Sequence, residues 1–370
     1  MQNSHTTADL RGIHNVGDGV AWASGTNGTV LRTEDGGFLW QVCAVPPGAE
    51  NLDFRGIQAF DENTAIVMSS GKGDLSRLYK TTDGCQSWKQ VFVNPYAPDG
   101  FFDAILFLDP RRGILLGDPS PDGWNHPVEK AGYFRVRVTH DGGETWGPAS
   151  SPDLPPGRGL RALGDESAFA ASNSAIASLD GLFWLGTSGS RVTLARLYPS
   201  GTIPEYLFRV GFCGGQVDPI SGQCGYSIRD FYDAAVPISH SSPSAGIFSL
   251  SFRSASVGVA VGGDYRKPNG FDGIAASTAD GGRNWIGAKA KPSGYRSAVA
   301  YDSASKAWIT VGPNGTDISK DDGRNWRAVH PDPARWEPTD ADKNWNALSL
   351  PFVVGPHGRI GKLNEQALAH

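Results

Sequence analysis

Apolar and polar positions alternate along this chain in short runs, and the runs recur in sets of four. Near the N-terminus "LRGIHNV" alternates with the period of a strand, "GVAWASG" and "GTVLRT" follow, and "WQVC" ends the set, with turn formers between them. No long stretch places apolar residues at a 3.6-residue spacing, so the pattern predicts an all-β protein. The junction between the third and fourth runs carries a repeated octet. "TEDGGFLW" ends at Trp40, "TTDGCQSW" at Trp88, "THDGGETW" at Trp146, "TADGGRNW" at Trp285 and "SKDDGRNW" at Trp326. Its acids, Asp35, Asp83, Asp141, Asp280 and Asp321, lie 48, 58, 139 and 41 residues apart, so the third interval has room for a copy that lacks the octet.

Four strands per repeat at this period indicate the blades of a β-propeller. The octet suits a turn. Asp and Thr or Ser side chains bond free backbone N–H groups, the glycines permit positive φ, and the Trp opens the last strand and packs between sheets. First-run starts at Leu10, Phe54, Phe102, Leu160, Phe248, Tyr295 and Trp345 give seven blades. The expected organisation is one propeller domain over 1–370, with blades near 8–45, 52–93, 100–150, 157–210, 244–289, 294–330 and 344–364. Residues 3–7 are expected to supply the outer strand of the seventh blade and close the ring. Residues 197–240 read as an insertion that either caps one face or is a solvated excursion.

Composition narrows the function classes. The 48 Gly and 25 Pro in 370 residues suit tight turns and oppose helices. A net charge of −5 without long charged runs gives no case for nucleic acid or an anionic membrane surface. No run approaches the ~18 apolar residues of a membrane span. The polar start "MQNSHTTADL" lacks the apolar core of a signal peptide, which leaves either a cytoplasmic protein or an exported one whose signal is not part of this sequence. Cys213 and Cys224 flank a short turn-rich loop that a disulfide could close, whereas Cys43 and Cys85 read as buried thiols.

Candidate chemistry lies at the channel mouth and on the longer loops. Matching first runs gives a ring of Arg11, Arg55, Asp103, Arg161, Ser249, Arg296 and Asn346. This ring either binds an anion such as a carboxylate or an acidic peptide end, or braces neighbouring blades. Long loops in blades two, three and five carry Lys72, Asp74, Asp118, Trp124, His126, Glu129, Asp264, Tyr265, Arg266 and Lys267, of which Tyr265 and Arg266 join the ligand-binding set. Asp74, Asp118 and Asp264 are candidate catalytic carboxylates should the protein hydrolyse a glycoside. The eight His show no metal-ligand spacing, and no phosphate-binding loop is present, so neither a metal nor a cofactor is expected.

The octet is similar to the Asp-box, or BNR repeat. In families that carry it, the Asp-box is structural and lies away from the active site, which implies a scaffold role for Asp35, Asp83, Asp141, Asp280 and Asp321. "VAWASGTNGTVLRTEDGG", "FFDAILFLDPRRGILLGDP" and "SAGIFSLSFRSASVGVAVGGDYRKP" resemble bacterial relatives of the photosystem II stability/assembly factor family. That resemblance implies a seven-bladed, sialidase-like propeller, periplasmic or secreted, which binds a protein or peptide partner rather than acting as an enzyme. It carries partner binding loosely onto Arg11, Arg55, Arg161 and Arg296. The alternative is a glycoside hydrolase with a carbohydrate substrate. A sialidase resemblance is weaker, because "FRGI" at 54–57 lacks the Pro of the Arg-Ile-Pro motif.

Overall fold

The computed structural model describes residues 1–370 except 97, 121–131, 149–159, 161, 165, 199–226, 336, 365–367 and 369–370. The predicted strands form seven separate antiparallel sheets, six of four strands and one of three. Blade one is β1 (Leu10–Gly17), β2 (Val20–Gly25), β3 (Val30–Thr33) and β4 (Gln41–Val42). Blade two is β5 (Phe54–Ala59), β6 (Ala65–Ser69), β7 (Arg77–Thr81) and β8 (Lys89–Val93). Blade three is β9 (Phe102–Phe107), β10 (Gly113–Ser120), β11 (Tyr133–Thr139) and β12 (Gly147–Pro148). Blade four is β13 (Ile176–Leu179), β14 (Leu182–Gly186), β15 (Arg191–Tyr198) and β16 (Ser227–Ala235). Blade five is β17 (Ala245–Phe252), β18 (Gly258–Asp264), β19 (Ala275–Thr278) and β20 (Ile286–Gly287). Blade six is β21 (Ala298–Asp302), β22 (Ala307–Gly312), β23 (Gly315–Ser319) and β24 (Arg327–Val329). Blade seven is β25 (Ala347–Ser349), β26 (Phe352–Val354) and β27 (Ile360–Lys362).

Each first strand touches the first strand of both neighbouring blades, from β1 through β5, β9, β13, β17, β21 and β25 back to β1. The fold is therefore a seven-bladed propeller with the first strands around its axis. Its core lies between blades. One buried cluster joins Trp22 and Val30 of blade one to Phe54, Val67 and Tyr79 of blade two. Another joins Leu10 and Trp40 to Phe352 and Ile360 of blade seven.

Two boundaries differ from the sequence reading. The first strand of blade four is Ile176–Leu179, not the run from Leu160. Leu160 instead accepts the Phe134 N–H and Ala162 donates to Gly132 O, so this run lies beside β11 of blade three. The ends of the supposed 197–240 insertion belong to β15 and β16, and only 199–226 lie outside the described residues. The other difference is at the seam. Residues 3–7 form no strand; the N-terminal segment meets blade seven through a single bridge, Gln2 to Ile360, with the Gln2 N–H 2.9 Å from Ile360 O. Further bonds across the seam run from Leu10 N to Gly355 O and from Gly358 N to Ala8 O.

The five repeated turns share one bonding scheme. The Thr33 hydroxyl donates to Asp35 Oδ1 and accepts the Gly37 N–H, and Asp35 Oδ1 accepts the Leu39 N–H. Asp83, Asp141, Asp280 and Asp321 repeat it with Ser87, Thr145, Asn284 and Asn325 as the later N–H donors. Gly36 and Gly37 both have positive φ, which the turn requires. In blade two the second of these glycines is replaced by Cys85, at φ 64°. Cys85 is bridged to Cys43, just beyond β4, with Cα atoms 5.3 Å apart. Both were expected as buried thiols. The pairing crosses a blade boundary over 42 residues, which only the folded ring brings together. Closing a loop of that length removes about 4 kcal/mol of unfolded-chain entropy in the chain-entropy account.

Candidate functional site

The first strands do not pair evenly with the second. Registers slip by one residue at Arg11, Arg55, Asp103 and Phe248. A bulge of this kind turns its extra residue out of the ladder, so these four hold equivalent places around the axis. The backbone fixes the comparison in the other blades. Leu10 N donates to Gly355 O of the preceding blade, Ile247 N to Thr187 O, Arg296 N to Gly262 O and Trp345 N to Gly312 O. Arg296 thus stands where Leu10 stands, one residue before the mouth position, and Ser297 takes the place of Arg11. The sequence alignment of blades five and six was off by one: Phe248 replaces Ser249, and Ser297 replaces Arg296. A one-residue slip reverses the direction of a strand side chain, which is why the role changes completely.

Arg296 is fully buried. Its Nε lies 2.9 Å from Asp317 Oδ2 on β23, its Nη2 also pairs with that carboxylate, and its Nη1 donates to Tyr295 O at 3.0 Å. It is an internal brace and does not reach the mouth. Asn346 is a brace too, donating from Nδ2 to Leu10 O across the blade seven–blade one seam. Arg161 lies outside the described residues, and the run that held it is not a first strand.

Arg11 and Arg55 remain as the charged pair of the mouth. They share one carboxylate, Asp53. Arg55 Nε donates to Asp53 Oδ2 at 2.8 Å and Nη1 reaches Ala170 O at 3.4 Å. Arg11 Nε sits 3.1 Å from Asp53 Oδ1 in an ionic contact whose angle makes no hydrogen bond. Both guanidinium side chains keep about a third of their surface exposed, at 32% and 31%, so donors are left facing water. One carboxylate against two guanidiniums leaves a net positive charge there.

Asp103 stands beside this pair and is built differently. It is 1% exposed, and neither carboxylate oxygen has a hydrogen-bond partner among the described residues. Burial first, and then the charge of Asp118, push its carboxyl well above the usual range, with Arg55 pulling the other way. Asp118 follows on β10, where its own N–H donates to Phe101 O. Burial raises its carboxyl to about 6, against one weak bond from the Ala168 N–H at 3.3 Å.

The opposite side of the ring is aromatic. Phe248 stacks on Phe169 at 3.8 Å and meets Tyr295 and Tyr265 edge-on. Tyr265, 46% exposed, leads from there to a cavity of about 290 Å³ lined by Ser242, Ser244, Asp264, Arg266 and Lys267 among others. Asp264 is spent within that wall. Burial pushes its carboxyl up, but bonds from the Ser244 hydroxyl, the Arg266 N–H and the Ser242 hydroxyl outweigh it and hold the group low. Asp74 sits on an exposed turn at Gly73–Leu75 and faces Arg77 at 3.6 Å. Asp74, Asp118 and Asp264 are thus in three different settings. Trp124, His126 and Glu129 lie outside the described residues, as do Cys213 and Cys224.

Several residues of the site escaped the sequence reading. Asp53, one residue before the first run of blade two, is the acid that ties Arg11 to Arg55. Asp317 is the one charged residue of the third run, "GTDIS", and that lone acid was the available signal for the Arg296 brace. Blade four hid because it has no repeated turn; its signal was Trp184 in "LFWLG", buried in the second strand like Trp22 of blade one. Behind the mouth, buried Glu166 pairs with Arg191, which also binds Asp233 on β16. Among the described residues no cluster of three or more His, Cys, Asp or Glu could hold a metal ion, and no helix is long and apolar enough to cross a membrane.

Comparison with known proteins places the fold. No family model matches the chain, and no curated protein matches it. Among solved structures, YCF48 bound to D1 peptide aligns with a TM-score of 0.54 at 16% identity, over 96% of this chain and 91% of that one. An ancestral GH74 enzyme aligns with a TM-score of 0.52 at 13% identity, over 95% of this chain but 40% of that one. At these identities the likeness is one of fold, the seven-bladed propeller that the sheets already define.

Proposed function

We propose that this protein is a non-catalytic propeller that binds an acidic protein or peptide segment at the channel mouth, through Arg11 and Arg55. The observation that carries the reading is the pair of partly exposed guanidiniums sharing the single carboxylate of Asp53. A guanidinium with unused donors beside a low-dielectric channel is suited to a carboxylate, and two of them fix its orientation. On the opposite side of the ring the exposed Tyr265, backed by buried Phe248 and Tyr295, offers an aromatic surface to another side chain of such a ligand. The peptide bound by the structurally similar YCF48 supports a peptide as the kind of partner. The Cys43–Cys85 disulfide supports an oxidising compartment, hence a periplasmic or secreted protein. The five repeated acids act as turn braces in this reading, since their oxygens are used within their own turns.

The hydrolase alternative needs two carboxylates flanking an open cleft. Among the described residues, the cavity beside Asp264 has no second carboxylate in its lining, and Asp264 is already held by three donors. The deciding experiment is binding of a library of short acidic peptides to the wild type and to an Arg11→Ala/Arg55→Ala variant. Affinity should fall about tenfold or more and lose its salt dependence in the variant, with the melting temperature nearly unchanged. Equal binding by both proteins would refute this site, and hydrolysis of a glycoside panel would favour the alternative.

A further inference from the structure

Beside the Arg11–Asp53–Arg55 cluster stand two acids in a different setting, Asp103 and Asp118. Asp103 is at the adjoining bulge and buried, with two oxygens that no donor among the described residues reaches. Such a group is stable in its neutral form, because an unpaired buried carboxylate costs several kcal/mol as an ion. Asp118 lies just across the β9–β10 pair, where Gly117 is opposite Phe102. Among the described residues, few charged groups face the two acids. Arg55 comes from β5, and it is committed to Asp53 and Ala170 O. The segment ahead of β13, Phe169–Ala175, and β13 itself contain no ionisable side chain. On β11, Arg135 is opposite Gly117 and stacks on the Tyr96 ring at 4.6 Å. Glu166, nearby in sequence to Ala168, is occupied by Arg191 and Thr187.

We infer that Asp103 and Asp118 form a proton-operated control on the mouth, presenting it as a cationic site when both carboxyls are protonated and cancelling that charge when they ionise. This rests on the reading of the mouth as an anion site. The charge count gives the direction. With both acids neutral, two guanidiniums and Asp53 sum to one positive charge. Ionising Asp118 brings the sum to zero, and ionising Asp103 as well makes it negative. Asp118 is the group that changes within this range, since its carboxyl titrates near 6; burial and the charge of Asp118 push the Asp103 carboxyl well above the ordinary range. An acidic partner would then be held in mildly acid surroundings and released as pH rises.

The test uses the full chain and a fluorescent hexapeptide of Gly and Glu with a free C-terminus, titrated from pH 5.5 to 8.0 at fixed ionic strength. The peptide carboxylates stay ionised throughout that range. Wild-type affinity should fall roughly tenfold across it, the effect of one unit charge at short range in a partly screened site. Asp118→Asn should keep the acid-side affinity up to pH 8.0 and show less than a threefold change. Asp103→Asn, if it folds, should keep most of the wild-type pH response, because Asp118 still ionises; Asp118→Asn is the deciding variant. A flat wild-type profile, with binding still abolished by Arg11→Ala/Arg55→Ala, overturns the control and leaves the site standing. An unchanged pH profile in Asp118→Asn also overturns it. Absence of peptide binding at every pH removes the anion site itself and the control with it.

Discussion

Arg55 in "DFRGI" and Arg296 in "YRSAV" sit in similar runs at the start of their blades, yet the fold treats them oppositely. Arg55 is the extra residue of a bulge and keeps 31% of its side chain in solvent. Arg296 is one position earlier in the ring, with no exposed surface, locked on Asp317. The difference is a single residue of register. Beside a bulge, the side chain at one position meets the channel and its predecessor enters the space between blades. Blade six can accept an arginine there only because Asp317 stands on its third strand, where blades one and two carry Leu31 and Tyr79. Being an arginine at the start of a blade therefore says nothing about ligand binding until the partner acid and the register are known.

The same contrast separates the acids. Asp317 is buried and paired; Asp103 is buried and unpaired. The first is the ordinary way to keep an ion inside a protein, and the second is unfavourable unless the group holds its proton.

The largest effect should come from breaking the internal pair. Arg296→Ala leaves Asp317 as an uncompensated buried charge and should destabilise the protein by about 3–5 kcal/mol, read by chemical denaturation. Arg296→Leu combined with Asp317→Leu should cost clearly less than the single change, because it leaves no orphaned ion. A double variant as unstable as the single one would show that packing, not charge, makes Arg296 important.

The architecture was legible in the sequence to the extent that it is periodic. Five repeated turns fix the third and fourth strands of five blades, because a side-chain oxygen, a positive-φ glycine and a buried Trp are needed together. Where the repeat lapses, reading failed: blade four was started sixteen residues early, at Leu160 rather than Ile176, since apolar alternation alone cannot choose between two candidate runs. The mouth was half legible. Arg11, Arg55 and Asp103 lie on bulges of blades that carry the repeated turn. Ser249 was misassigned because the bulge at Phe248 adds a residue without any local sequence mark, and Arg296 because nothing in its run marks the register. The Asp53 bridge and the Cys43–Cys85 disulfide depend on contacts between blades, which strand periodicity does not encode.

The next effect concerns Asp118 and vanishes at low pH. In the unfolded chain an Asp carboxyl titrates near 3.9. Asp118 in the folded protein titrates near 6, so between these values the unfolded state releases a proton that the folded state keeps. Stability therefore falls as pH rises through that window, and the whole penalty is present above about pH 6, at most about 3 kcal/mol for a shift of this size. Asp118→Asn should recover much of that at pH 8 and nothing near pH 3.5. Denaturation midpoints at the two pH values give the comparison directly. A gain that is equal at both would mean that the asparagine packs better, with no titration behind it.

The smallest stability effect is expected at the residue with the largest proposed role. Arg55 is partly hydrated, its ion pair with Asp53 is of the exposed kind, and its bond to Ala170 O is long at 3.4 Å. Exposed pairs contribute about 0–1 kcal/mol, so Arg55→Ala should move the unfolding free energy by less than about 1 kcal/mol. Asp53 then turns wholly to Arg11, which cancels the remaining positive charge of the pair. The mouth should lose its attraction for anions while the ring stays folded. Unfolding and peptide binding measured on the same Arg55→Ala sample therefore set it against Arg296→Ala, in which stability should fall first. If Arg55→Ala unfolds as easily as Arg296→Ala, both arginines are braces between blades, and the one-residue difference in register has no functional consequence.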